Sequence, residues 1–343
     1  MRKLGNTFFI FTQGAYVSRD GENIVVSHER KELKRIPIHT LEGVVCFGDV
    51  LCTPFALGLC VERGVHVSML TQTGNFLARV SGKQTGNVLL RRAQHRATSD
   101  PTTALEIAKS FVVGKIANCR TTLQRALRDH ADKIDAASVQ AGVDKLAQSL
   151  RAIPRVESLD GLRGIEGDAA KAYFNAFDSL ILTQKKDFFM RERSRRPPLD
   201  RVNSLLSFLY TILVHKVVGA CETVGLDPQM GFLHADRPGR PSLALDLMEE
   251  FRPWLADRLA LTLINRNQLD AKDFTFAEGG AVTISDDAKK TILKEWQEKN
   301  MSEATHPFTE EKAEIGLFPF VQAQLLARRL RGDLDAYPPM LMK

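Results

Sequence analysis

The chain has 343 residues, 44% of them hydrophobic and 26% charged, with a formal net charge of +6. That length and balance are ordinary for a soluble globular protein of two domains. They come without a run of about 18 apolar residues, so no membrane span is expected. The opening MRKLGNTFFIFTQG is basic and then apolar, but its apolar stretch is short and no small-residue cleavage site follows. A signal peptide is therefore not expected, and a cytoplasmic location is the default. Five cysteines, Cys46, Cys52, Cys60, Cys119 and Cys221, form no C-x-x-C pair. Their odd number and apolar surroundings predict buried, reduced thiols rather than a disulfide framework or structural zinc. The basic balance permits nucleic-acid binding without proving it.

The first 85 residues carry β-signals. AYVSRDGENIVVSH places Asp20-Gly21 between β-rich flanks, which predicts a hairpin. LEGVVCFG, GVHVSML and TGNFLARV are short strand candidates, and TPFALGLCVERG reads as a short helix ended by Gly64. Residues 82–100 shift to Gly, Gln and Arg. A boundary is expected there, with an N-terminal β-rich domain over 1–85, a linker over 86–100 and a helical domain over 101–343.

Beyond the boundary the period changes. Leu105, Ala108, Phe111, Val112, Ile116, Leu123 and Leu127 follow three- and four-residue steps, the stripe of an amphipathic helix. Leu159, Leu162, Ile165, Ala169, Ala172, Tyr173 and Phe177 repeat it. Asp200 is a candidate N-cap and Gly225 a candidate C-cap for the helix between them. Residues 267–287 are polar and read as a loop, and further helices fit 288–299 and 309–331. The fold class is α+β, a small N-terminal β-domain followed by a larger all-α domain.

Three stretches carry chemistry. In GFLHADRPGRPSLALDLMEEFRP, residues 231–253, His234 precedes a stiff basic loop and an apolar helix bearing Asp246, Glu249 and Glu250. Ser242 can cap that helix, and acids three and four apart share a face and repel unless a cation lies between them. Pro253 has no N–H, so the carbonyl of residue 249 loses its helical partner and the helix should kink or end there. Glu166 stands between Gly164 and Gly167, which suggests either that something bulky approaches its backbone or that helices pack closely. The segment 185–201 holds seven basic residues (Lys185, Lys186, Arg191, Arg193, Arg195, Arg196 and Arg201) against three acidic ones. Arg237, Arg240 and Arg252 lie close to the acidic motif. One imidazole with several carboxylates suits Mg²⁺ and, more strongly, Mn²⁺, and arginine forks suit phosphodiesters. Solvated charged faces and a hydrogen-bonded structural histidine would give the same pattern. Tyr173 and Tyr210 lie on apolar faces, as core residues or as stacking platforms for a frayed DNA end.

The glutamate in GIEGDAAKAYF, the block RPPLDRVNSLLSFLY and the stretch 231–253 resemble the CRISPR-associated adaptation integrases, also described as endonucleases. The opening MRKLGNTFFIFTQGAYVSRDGENIVV is similar to the form found in type I systems, subtype I-C. The resemblance spans nearly the whole chain. It implies a homodimerising β-domain and a metal-holding α-domain, with Glu166, His234 and Glu249 as ligands to Mg²⁺ or Mn²⁺. The last of these acids is an aspartate in some members. Asp246 is implied as a nearby essential acid, and Lys185, Lys186, Arg195, Arg196, Arg237, Arg240 and Arg252 as DNA contacts. The implied partners are double-stranded DNA (spacer precursor and CRISPR repeat) and a small ferredoxin-like adaptation protein. The implied reaction is attack of a DNA 3′-OH on a repeat phosphodiester, or hydrolysis when water replaces the hydroxyl. Two other classes fit the same residues: a DNA-binding assembly subunit with structural acids, and a stand-alone nuclease for branched DNA.

Overall fold

The structure, a computed structural model, describes residues 7–72, 76–80, 88–194 and 197–342. Its contacts divide it into two compact units: residues 1–85 with 297–302 and 314–317, and the remainder of the chain.

The first unit is built on two four-stranded sheets. One has the order β1 (Thr7–Ile10), β5 (Gly43–Phe47), β7 (His66–Leu70), β8 (Phe76–Val80), parallel except for the last pair. The other has the order β4 (Lys31–Pro37), β3 (Asn23–His28), β2 (Ala15–Asp20), β6 (Val50–Cys52). The expected hairpin joins β2 to β3, with Asp20 opposite Asn23. Gly21 takes φ 57° at the first turn position, where a side chain would be strained. Helix α1 (Pro54–Glu62) begins as its sequence directs, with Thr53 capping the Ala56 N–H and Pro54 in the first turn, where no donor is needed. Ala15, Val17, Ile24, Val44, Cys46, Leu59 and Val67 form the buried core between these elements.

The second unit is mostly helical. It contains α2 (Val88–Ser99), α3 (Pro101–His130), α4 (Ala136–Ala152), α5 (Leu159–Phe177), α6 (Arg201–Val224), α7 (Ser242–Met248), α8 (Arg258–Asn265) and α10 (Phe318–Arg331). Helix α9 (Asp286–Met301) begins within it. The stretch expected as a linker is largely helix α2. The polar stretch 267–287 folds into a short hairpin, β9 (Phe274–Phe276) with β10 (Val282–Ile284). A second ribbon joins β11 (Glu303–Thr305) to β12 (Lys312–Glu314), so α10 starts nine residues later than its periodicity suggested.

Helices α3, α4 and α5 pack on one another, α3 and α5 being the two whose stripes were predicted, and α6 packs on α7 and α10. Asp200 caps α6 through the Asn203 N–H, and Gly225 ends it at φ 90°. Helix α6 is long and apolar enough to cross a membrane, but 67% of its apolar window is buried inside the protein. A helix apolar on every side belongs at the centre of a large core, and α6 is that helix here.

Candidate active site

Helix α7 begins at Ser242, not after it. Pro241 holds the cap position without a side-chain bond, and the Ser242 hydroxyl instead donates to the Ala235 carbonyl at 3.1 Å. Ser242 thus ties down the loop that follows His234. The helix stops at Met248, and Arg252–Asp257 form a π-helical turn before α8. Pro253 sits inside that turn, where its missing N–H makes regular helix impossible. The irregular backbone turns the three acids of this segment toward three different sets of partners.

Asp246 is fully buried. Its Oδ2 accepts the Phe232 and Leu233 N–H groups at 2.6 and 3.0 Å, and its Oδ1 accepts the His234 N–H at 3.0 Å. Oδ1 also lies 2.5 Å from Nδ1 of the His234 ring. Three backbone donors and one imidazole satisfy the carboxylate and fix both the loop and the ring plane. With Nδ1 engaged, Nε2 is the nitrogen left for a metal or a substrate. Gly231 is required at the start of this loop, because a Cβ there would stand 2.8 Å from Asp246 Oδ2 and from Ser242. From α5, Arg163 Nε donates to the Leu233 carbonyl at 2.8 Å and ties the loop to the helix that bears Glu166.

Glu249 faces two cations. Arg252 Nη1 is 2.9 Å from its Oε1 and Lys115 Nζ is 2.7 Å from its Oε2. The Lys115 ammonium, on α3, also pairs with Glu166 Oε1 and so bridges the two carboxylates. Burial alone would raise the Glu249 carboxyl, but the charges of Arg252, Lys115 and His234 outweigh it and hold it at about 2. Burial works against the Lys115 ammonium too, and Glu249 and Glu166 together keep it above its ordinary range. Oε2 of Glu249 makes no hydrogen bond although Lys115 is within ion-pair distance. The two are near but misaligned, so this oxygen is a buried, negatively charged acceptor with capacity to spare.

Glu250 turns the other way, into the core. Its carboxyl receives the Tyr337 hydroxyl at 2.8 Å, the Gln322 amide at 2.8 Å and the Met340 N–H at 2.7 Å. Gly114 of α3 makes room for it, since a Cβ would sit 2.9 Å from Glu250 Cγ. Burial pushes its pKa up to about 8. Glu250 is a structural anchor for the C-terminal segment and does not join Glu249 at the site.

The glycines beside Glu166 meet open space. A Cβ at Gly164 or Gly167 would find nothing within 4 Å, so close packing of helices does not explain them. Glu166 itself is one-quarter exposed and is the site's outward-facing acid.

The basic residues divide. Lys185, Lys186 and Arg237 are exposed and Arg240 is half-buried. Arg252 is drawn into the site by Glu249, with its guanidinium 4.6 Å above the Tyr210 ring, and does not lie on the exposed basic surface. Arg195 and Arg196 lie outside the described residues. Arg193 donates to Asn203 at 2.5 Å and lies over Tyr210, and Arg201 donates to the Asp187 carbonyl, so these two brace the fold. Tyr173 and Tyr210 are core residues, and both hydroxyls donate to the buried Asp257, at 3.0 and 2.6 Å.

Lys115 and Asp257 escaped the reading by sequence. Lys115 lies in FVVGKIANC on the same stripe as Phe111, Val112 and Cys119, and a lysine on a buried face calls for a carboxylate partner. Among the described residues no three His, Cys, Asp or Glu side chains stand close enough together to hold a metal as they are, since Lys115 lies between two of the candidates. The donor chemistry still fits a hard or borderline divalent ion, with two carboxylates, one unsaturated oxygen and one oriented imidazole.

The sequence model of the family described as CRISPR associated protein Cas1 matches residues 8–298. A "CRISPR-associated endonuclease Cas1 2" of Rhodospirillum rubrum is 52% identical over 347 aligned residues, covering all of both chains. A "CRISPR-associated endonuclease Cas1 1" of Chlorobaculum tepidum is 50% identical over 343 residues, again covering 100% of each. Among solved structures, "Casposase bound to integration product" superposes with a TM-score of 0.85 at 22% identity, covering 98% of this chain and 94% of that one, which shows a shared fold. With a family match over most of its length and relatives at least half identical from end to end, the chain belongs to the Cas1 family of CRISPR-associated proteins.

Proposed function

We propose that this protein is a metal-dependent DNA endonuclease and integrase of CRISPR adaptation, of the subtype I-C form, that inserts new spacers. One observation supports this above the rest. Glu166 and Glu249, from separate segments, converge on Lys115, and Asp246 orients the His234 ring on the loop before Glu249's helix, in a chain whose full-length relatives are named endonucleases.

In the reaction, a DNA 3′ oxygen forms a new P–O bond at the repeat border. The phosphodiester's own 3′ oxygen leaves and takes up a proton. Water in place of the hydroxyl gives hydrolysis. Glu166, Glu249 and His234 Nε2 would hold Mg²⁺ or Mn²⁺, which neutralises charge on the phosphoryl group and lowers the nucleophile's pKa. Asp246 orients the imidazole and keeps Nδ1 occupied. Arg252, braced on Tyr210, fixes one oxygen of Glu249 and leaves the other available. Lys185, Lys186, Arg237 and Arg240, with Arg195 and Arg196, grip backbone phosphates and position the duplex without reading its bases. The N-terminal β-unit serves as the homodimer interface, and a small ferredoxin-like adaptation protein joins the dimers.

Alanine at Glu166, His234 or Glu249 should abolish Mn²⁺-dependent joining of a labelled duplex to a repeat-bearing plasmid. Salt-dependent DNA binding should stay near wild type. Wild-type joining in all three variants would overturn the site assignment and favour a DNA-binding assembly role.

A further inference from the structure

We infer that Lys115 is a resident counter-cation of the carboxylate pair, which a divalent ion must displace, so that Lys115 couples metal binding to phosphate binding. The inference rests on the proposed metal site and concerns the state of that site before the metal arrives.

Glu166 and Glu249 bring two negative charges, and Lys115 and Arg252 answer with two positive ones, in contacts that are largely closed to water. The Lys115 side chain is only 8% exposed. Four charges that cancel leave no net charge to attract a dication, and the ammonium that pairs with both acids stands between them. One of the two cations must leave.

The geometry says which. The Arg252 guanidinium lies over the Tyr210 ring at 4.6 Å, and Tyr210 is itself fixed by its bond to Asp257. A stacked, planar guanidinium in a packed turn has little freedom. Lys115 has a four-carbon stem with three rotatable donors and bonds only through Nζ. Glu166 is the partner that reaches the open side of α5, beside Gly164 and Gly167. An ammonium released in that direction meets whatever lies against α5.

A metal entering alone leaves a displaced ammonium and an excess of two positive charges. Two phosphodiesters of a duplex alongside, with one negative charge each, neutralise both. Metal should therefore bind weakly to the free protein and more tightly with duplex DNA present. Removing the ammonium should erase most of that difference.

The test is Mn²⁺ binding, followed by calorimetry and by electron paramagnetic resonance of free Mn²⁺, on the intact protein with and without duplex DNA. Lys115→Met should bind Mn²⁺ at least tenfold more tightly than wild type without DNA. DNA should tighten Mn²⁺ binding severalfold in wild type and by less than twofold in the variant. With Glu166 left without its cation and Glu249 with Arg252 alone, Lys115→Met should melt below wild type in EDTA and recover on adding Mn²⁺. Lys115→Gln keeps the hydrogen-bonding donor without its charge. It should behave like Lys115→Met in binding while melting closer to wild type, which guards against a folding defect. If both variants bind Mn²⁺ no better than wild type while Glu166→Ala still abolishes binding, the displacement idea fails and the metal site stands. If no form binds Mn²⁺ with or without DNA, the metal site fails and the inference falls with it.

Discussion

At Glu249 two cations stand against the carboxylate, whereas one residue on, Glu250 meets only neutral donors. The first is held at about 2 and the second is raised to about 8. The sequence shows two adjacent acids on a short helix, and nothing in their spacing separates them. The separation comes from the end of α7, from Arg252 three residues beyond Glu249, and from Lys115, Gln322, Tyr337 and Met340, all more than 70 residues away, which no local pattern encodes. Asp246 and His234 were legible, because a histidine before a loop and an acid on the next helix fit one motif. The role of Asp246 was legible only in part, since its three backbone bonds depend on the loop's shape. Gly231 follows from that shape. Gly231→Ala forces a methyl group to within 2.8 Å of Asp246 Oδ2. It should lower stability by about 1–3 kcal/mol, the range for overpacking a filled site. It should also cut strand transfer more than DNA binding, because the His234 ring loses its alignment. Urea unfolding and a joining assay read the two effects separately.

Among the elements, the π-helical turn Arg252–Asp257 shows how far a sequence reading reaches. Pro253 predicted a break beyond Glu249, and the break is there. That the chain would continue through a wide turn into α8, and bury an aspartate at its end, depended on tertiary packing. Asp257 lies beneath the Tyr173 and Tyr210 hydroxyls, and burial raises its pKa from 3.8 to about 6. A raised carboxyl favours folding while protonated. Its contribution is full below about pH 4 and is lost as pH climbs through 6. Asp257→Asn mimics the protonated form. Between pH 4 and pH 7 the stability difference should therefore move in favour of the variant by about 2–3 kcal/mol, at 1.36 kcal/mol per pKa unit. Urea titrations of both proteins at the two pH values check this. A difference that does not change with pH would mean that Asp257 titrates normally. Caps were the most readable elements, because Asp200 and Gly225 act within a few residues of themselves. Residues 267–287 were misread because three-residue strands leave almost no periodicity to detect.

Across the whole molecule, the division into a β-unit and a helical unit was visible as a change of period, from alternation to three- and four-residue steps. Its location was visible as a change of composition, although α2 occupies the stretch read as a linker. The net charge of +6 pointed to a polyanion without naming it. Of the basic residues near the acidic motif, Arg193, Arg201 and Arg252 are committed to internal partners, so a count of arginines overstates the phosphate-gripping surface. Lys185 and Lys186 are exposed, and the proposed function gives them a phosphate-gripping role. Replacing both with alanine should reduce the slope of log K against log salt by roughly 2, about 0.9 per lost phosphate contact. Affinity should drop alike for repeat and unrelated duplexes, as a salt series by fluorescence anisotropy would show. An unchanged slope would remove them from the interface.

The anchoring of Glu250 also bears on how the protein can be handled. Met340 and Met342 give their backbone N–H groups to Glu250 and Asn118, so residues 337–342 work as a strap sewn to the chain just behind Glu249. A purification handle or fluorophore fused after that strap would tug on the stitches. The exposed bend at Ala131–Lys133, between α3 and α4, carries no such tether to the site and is the better place for a label or an inserted peptide.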